Sequence, residues 1–326
     1  MSAPSPDPGG LATQVARLFY DRQLSKVEIA DRLGISRFRV ARLIDVALAD
    51  GLVRIEYRDA PDTDRALARA IEERFGLDLC VVAGTRPGEP DPVRDTARLA
   101  GAVIGQLIGP GEVVGIAWGS TLAATVREIE PRTDPSVTVV QMAGSSSRLG
   151  PGLDPGDLAR QLAERLGARP RPMFAPTFVE STELRAALVR QPDIAATVAE
   201  FGRLSLAIVG VGAMPATPRG RSRSSLLRSG VLGADEISDL RARGAVGDLV
   251  VHPFDAEGRF IAPEMAARAI AIGIADLRRV RRVVAVAAGA AKGDAIRGAL
   301  ASGIVRVLIT DRAAADRVLR PAGVRR

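Results

Sequence analysis

Apolar residues recur along the chain with two different periods, and the change from one to the other divides it. Leu11, Val15, Leu18 and Phe19 stand at i, i+4, i+7 and i+8, so residues 11–22 are predicted to form a helix with one apolar face. A second helix is predicted after Ser25, where Ser25 and Glu28 make an S-x-x-E capping box and Ile29, Ala30 and Leu33 supply the apolar stripe. Gly34 suits the left-handed end of that helix. Ser36 caps a third helix, with Val40, Leu43, Ile44 and Leu48 on its buried face and Gly51 as its stop. From Val53 to Arg58 apolar and polar positions alternate, the pattern of a wing strand.

After a polar linker, Asp59 to Asp64, the pattern changes. Short apolar, β-branched runs appear at Leu79–Val82, Val113–Ala117, Val137–Met142, Leu206–Val211, Leu249–Val251, Val283–Ala287 and Val305–Ile309. Helical stretches lie between them, at Thr96–Ile108, Asp157–Leu166, Glu183–Val189, Ala234–Arg243, Ala291–Ala301 and Asp311–Leu319. Strands alternating with helices predict an α/β fold with a doubly wound, mainly parallel sheet. The expected organisation is a tail over 1–10, an all-α winged helix-turn-helix over 11–59 and the α/β domain over 60–326. A Pro/Gly/Ser/Asp string without a basic and then an apolar region reads as a disordered tail, not a signal peptide. The Arg/Ser-rich stretch Arg219 to Arg228 is expected to be a solvated loop, with a lid over a phosphate as the alternative.

The helix-turn-helix runs from Lys26 to about Ala47. With Lys26 as its first position, the fifth is Ala30, small enough for close helix approach; the ninth is the turn residue Gly34; the fifteenth, Val40, fills the space between helices. Such a motif enters the major groove by the N-terminal end of its last helix. Here that end carries Ser36, Arg37, Phe38, Arg39 and Arg42, with no acid among them. Arginines pair with guanine edges and phosphates, and a serine at a helix start can hold a phosphate, so operator DNA is the expected partner. A small three-helix bundle without a nucleic-acid role is the plain alternative.

Composition adds limits. The 326 residues favour two domains, and no apolar run approaches the ~18 residues of a membrane span. A net charge of +7 invites a nucleic-acid reading, yet residues 1–60 hold nine basic and eight acidic residues, so only the local arrangement counts. One cysteine, Cys80, rules out an internal disulfide and a cysteine-built zinc site. The cytoplasm is the expected compartment, and neither a metal nor a cofactor is expected. Lys26 and Lys292 are the only lysines among 45 basic residues. A surviving lysine marks a place where a wide guanidinium does not substitute for a compact ammonium.

Open parallel sheets bind ligands at the carboxyl ends of their strands. Gly119-Ser120-Thr121 directly follows the run Val113–Ala117 and opens a helix, where N–H groups and hydroxyls can hold a phosphate; simple helix capping is the other reading. Lys292 follows Val283–Ala287 and Gly289, and can reach an anion at the sheet edge or stand solvated. Gly144 and Ser145 follow one strand, and Gly210 and Gly212 close another; they line the same crevice or serve as turn residues. Asp255 could accept bonds from sugar hydroxyls or be a reverse-turn aspartate. The single histidine, His252, is given no catalytic role, and Trp118 is placed in the core or an interface.

The stretch "VARLFYDRQLSKVEIADRLGISRFRVARLIDVALADGLVRI" resembles the winged helix-turn-helix of the SorC family of sugar-responsive bacterial transcriptional regulators. The resemblance continues through "GIAWGSTL", "VVQMAGS", "APTFVES", "AIVGVGAM", "GAVGDLVVHPFDAEGR" and "VAVAAGAAKGDAIRGALASGIVRVLITD", covering roughly residues 12–320. It implies an effector domain related in fold to sugar-phosphate isomerases and deaminases, a sugar or sugar-phosphate effector, and a homo-oligomer, dimer or tetramer, that binds operators. The chain departs from the family at Phe38-Arg39, where a small pair such as Pro-Thr is frequent. It departs again at Ala288-Gly289-Ala290-Ala291-Lys292, which keeps the lysine of a frequent G-G-E-E-K and lacks its acids. The competing function is an isomerase- or deaminase-like enzyme with an attached DNA-binding domain. The single histidine and the lack of a clustered carboxylate pair speak against it.

Overall fold

The computed structural model describes residues 8–54, 63–84, 91–146, 153–214, 224–230 and 232–320. The expected wing strand, from residue 55 on, and residues 219–223 of the Arg/Ser-rich stretch lie outside them. The chain forms two compact units, Met1–Asp59 and Ala60–Arg326.

The first unit contains α1 (Pro8–Tyr20), α2 (Lys26–Leu33) and α3 (Arg37–Ala49). Helix α1 begins three residues before the expected helix start at residue 11, because a proline suits the first helical turn, where an N–H would have no partner. The Ser25–Glu28 box is formed in both directions, at 3.2 Å and 2.8 Å, and hydrogen bonds from the Ser25 side chain and backbone hold the Glu28 carboxyl below its usual range. Gly34 takes φ 67°, ending α2 in the left-handed region. Val15, Ile29, Ala30, Val40 and Ile44 are buried together between the three helices.

The second unit runs α4 (Arg65–Phe75), β1 (Leu79–Ala83), α5 (Pro92–Leu107), β2 (Val113–Ile116), α6 (Ser120–Glu128), β3 (Thr138–Gln141), α7 (Pro155–Leu166) and β4 (Arg169–Arg171). It continues with α8 (Thr182–Leu188), α9 (Pro192–Glu200), β5 (Leu206–Ala213), α10 (Ser225–Arg228), α11 (Ala234–Ala242), β6 (Gly247–Leu249) and β7 (His252–Phe254). It closes with α12 (Pro263–Ala266), α13 (Ile274–Leu277), β8 (Arg282–Val286), α14 (Gly293–Ala301), β9 (Val307–Asp311) and α15 (Arg312–Leu319). Strands lie in the order β1-β9-β8-β5-β2-β3-β4, all parallel, and the antiparallel hairpin β6–β7 attaches to the end of β5. Val114, Ile116, Val139, Val140, Leu206, Val209, Val284 and Leu308 are almost wholly buried, as strands covered on both faces must be. Cys80 lies buried in β1, and burial together with the Glu72 carboxylate pushes its thiol up to about 12, leaving it unreactive at neutral pH.

Two departures from the expected elements have clear causes. The run Leu249–Val251 is not one strand: it turns at Val250, and β6 and β7 fall on either side. Strand β4 is fully exposed Arg-Pro-Arg, with nothing apolar to announce it. No helix of the described residues is long and apolar enough to cross a membrane.

Helices α5 and α6 pack closely at Gly101, where a Cβ would lie 2.6 Å from the carbonyl carbon of Glu128. One turn on, a Cβ at Gly105 would meet nothing nearer than 4.0 Å. Gly101→Ala is therefore expected to cost about 1–3 kcal/mol through overpacking. Gly105→Ala should be neutral or gain up to about 1 kcal/mol from helix propensity. Chemical denaturation of the two variants checks the contrast.

Candidate functional site

Strands β2, β3 and β4 step one way across the sheet, whereas β5, β8, β9 and β1 lie the other way. Between β2 and β5 the order reverses, so the loops leaving their carboxyl ends diverge and open a crevice. This crevice encloses about 420 Å³, including its mouth, and is lined by Trp118, Gly119, Ser120, Thr121, Gly210, Gly212, Ser225, Asp248, Val250 and Lys292, among others.

One wall is the start of α6. Gly119 takes φ 134°, a conformation open to glycine and strained for other residues, and serves as the helix N-cap. No side chain of the described residues caps this end, so capping is not what Ser120 and Thr121 do. Backbone N–H groups of the first turn, with the helix dipole behind them, are left directed at the crevice, an arrangement suited to an anion. The Lys292 ammonium stands on the β8 side, where it donates to the Val211 carbonyl at 2.8 Å. It is delivered there by a turn of 3₁₀ helix, Ala290–Lys292, that starts at Gly289 (φ 97°).

The floor holds a residue that the sequence reasoning missed. Asp248, in β6, pairs across the antiparallel ladder with Gly212 of β5. A side chain at Gly212 would overlap the Asp248 carboxylate, so this glycine leaves the space that the acid fills. Burial pushes the Asp248 carboxyl up to about 6, against a hydrogen bond from Ser224 and the positive charge of Lys292. Its Oδ1 is buried with no hydrogen-bond partner among the described residues. A lone acid inside the apolar stretch Val246–Val251 was the available clue. Beside it, Val250 makes the hairpin turn at φ 58°, a left-handed conformation rare for a β-branched residue.

Other expected site residues lie elsewhere. Gly144 is pressed against Pro176 and its N–H donates to Ile270 O, while the Ser145 hydroxyl donates to Asp154 at 2.8 Å; neither lines the crevice. Gly289 does not line it either; its N–H donates to the Asp311 carboxylate. Asp255 sits in the turn after β7, against the C-terminal half of α14. There it accepts from Glu257 N, Arg259 N and Arg259 Nε, and although burial raises its carboxyl, the bonds and charge of Arg259 carry it below the usual range. The structure thus gives Asp255 the reverse-turn role. His252 is buried outside the crevice, its Nε2 2.8 Å from Ile272 O, and burial lowers its pKa. Within the Arg/Ser-rich stretch, residues 224–228 are not a solvated loop: Ser224 caps α10, Leu226 and Leu227 are buried, and Ser225 lines the crevice. Trp118 is buried in the core and also forms part of the crevice wall.

On the N-terminal unit, Ser36, Arg37, Phe38, Arg39 and Arg42 are all exposed at the start of α3. The Ser36 hydroxyl accepts from Arg39 N at 3.2 Å, so it caps the helix. Phe38, Arg39 and Arg42 face one shallow groove with Leu43 and Val46.

Residues 60–320 match the sugar-binding domain family. The chain is 30% identical over 316 residues to the erythritol catabolism regulatory protein EryD of Brucella abortus, covering 95% of this chain and 96% of that one. It is 28% identical over 303 residues to the deoxyribonucleoside regulator of Bacillus subtilis, covering 93% and 95%. The fold is similar to that of the full-length sorbitol operon regulator SorC from Klebsiella pneumoniae, with a TM-score of 0.72, 25% identity and coverage of 95% and 98%.

A carboxyl raised from 3.8 to about 6 on folding favours the folded state fully only below about pH 4, and that contribution is lost as the pH rises to about 6. Asp248→Asn removes the charge and keeps the shape. Its melting temperature is expected to exceed that of the parent chain by about 2–4 °C at pH 8, with little difference at pH 4. Thermal melts at the two pH values decide it, and a variant that melts lower at pH 8 contradicts the assignment.

Proposed function

We propose, for a chain that belongs to the SorC family of transcriptional regulators carrying a sugar-binding domain, that a sugar or sugar-phosphate effector occupies the β2/β5 crevice and changes the affinity of the chain for its operator. The observation that carries this reading is the meeting of three polar features in one crevice: the start of α6, uncapped among the described residues, the Lys292 ammonium, and the Asp248 oxygen that has no partner among them. A phosphate or other anionic group suits the first two. The Asp248 carboxylate is a hydroxyl acceptor, and a buried acceptor without a partner gains most from a donor. Gly119, Ser120, Thr121, Gly210 and Gly212 supply walls that let the ligand approach the backbone. Gly144, Ser145, Gly289 and Asp255 are left to support the surrounding structure.

The names of the relatives, a deoxyribonucleoside regulator, an erythritol catabolism regulator and a sorbitol operon regulator, all point to small polyhydroxylated effectors. In the N-terminal unit, we assign α2, the Gly34 turn and α3 to a winged helix-turn-helix, with Ser36, Arg37, Phe38, Arg39 and Arg42 at the operator. Half-sites read by such motifs are paired, which favours a homo-oligomer, dimer or tetramer. Binding of effector to one unit and operator to the other is then linked, so each changes the affinity for the other by the same factor. No observation favours a reaction at the crevice. His252 does not line it, and the relatives are regulators.

Mobility-shift titrations of the full chain on DNA upstream of its own gene, with a panel of sugars, polyols and their phosphates, test the reading. One class is expected to shift operator affinity; a panel without effect removes the gating. Lys292→Ala is expected to weaken a phosphorylated effector by about tenfold or more, the scale of a charge-assisted hydrogen bond, while operator binding without effector is unchanged. Unchanged effector affinity would take Lys292 out of the site.

A further inference from the structure

Phe38 is the second residue of α3 and is 74% exposed. A single exposed apolar side chain says little by itself; its surroundings say more. It shares a surface groove with Arg39 and Arg42, and the Arg37 guanidinium lies 5.1 Å from its ring centroid. An apolar ring is thus set among three cations at the helix end that, on the DNA-binding reading above, meets the base edges. Guanidinium groups answer the acceptors of guanine and of phosphate. A phenyl ring can answer neither. The major groove offers one apolar group, the C5 methyl of thymine, which only T·A pairs present.

We propose that Phe38 reads a thymine methyl, so that each operator half-site carries a thymine beneath the start of α3, with Arg39 and Arg42 placed on neighbouring base edges or phosphates. The Arg37 guanidinium over the ring keeps a cation beside it. The proposal rests on the DNA-binding role of the N-terminal unit. It concerns only what one side chain recognises there.

The test uses the full chain and a duplex selected by it from a random library. Each thymine of the selected site is replaced singly by deoxyuridine, which removes the methyl and nothing else. One thymine per half-site is expected to lose affinity about three- to fivefold, the scale of burying one methyl group. Phe38→Ala should bind the thymine duplex more weakly by a similar factor and become indifferent to deoxyuridine at that position. Phe38→Leu should keep part of the preference. Since the side chain is exposed, both variants are expected to melt like the parent chain. The proposal is overturned if no single methyl matters, as it would be if the ring wedges between base pairs or contacts a second protein copy. It is overturned equally if the methyl preference persists in Phe38→Ala. Failure to select any duplex would instead remove the DNA-binding reading itself, and this proposal with it.

Discussion

Parallel strands covered on both faces leave the C-terminal unit little room inside the sheet for a polar guest. Strands β2 and β3 have no exposed position at all. The room for a guest therefore lies at the ends of the strands, and at the carboxyl edge the reversal between β2 and β5 parts the loops that leave those two strands. Everything that characterises the crevice depends on that pairing. It brings the start of α6 beside the end of β5, and β5 in turn carries the β6 strand with Asp248.

The elements that sequence made legible are those whose causes are local. The Ser25–Glu28 box, the Gly34 turn and the Ser36 cap each act within four residues, and all are formed. Apolar runs such as Val113–Ala117 and Val283–Ala287 are strands, because burial on both faces leaves a continuous apolar mark. What escaped depends on partners distant in sequence. Strand β4 forms on the edge through backbone pairing with β3 alone, so Arg-Pro-Arg carries no mark of it. Asp248 matters because Gly212 lies opposite, and neither residue names the other in the sequence. The sequence offers Gly212 as crevice lining or as a turn residue, whereas its absent side chain first makes room for a carboxylate. Asp255 misled for the opposite reason: its partners are its own neighbours, Glu257 and Arg259.

Lysine scarcity proved informative in a particular way. Lys292 is half-buried, with its ammonium on a backbone carbonyl and its charge felt by Asp248. A thin stem ending in a compact cation reaches such a position, whereas a planar fork with five donors is wider and calls for more acceptors at once. The cation and the acid make opposite demands on the same small volume. One lowers the cost of an anionic guest, and the other repels it unless the guest also presents hydroxyls. On the effector reading proposed above, this pairing would select a molecule that carries both groups.

The hairpin turn at Val250 has a consequence for the shape of the crevice. Glycine or asparagine would adopt its left-handed backbone at less cost. A valine there sits against the preference of its own main chain, and its buried side chain forms part of the crevice wall. The turn is therefore a compromise in which the contour of the cavity outweighs the comfort of the backbone.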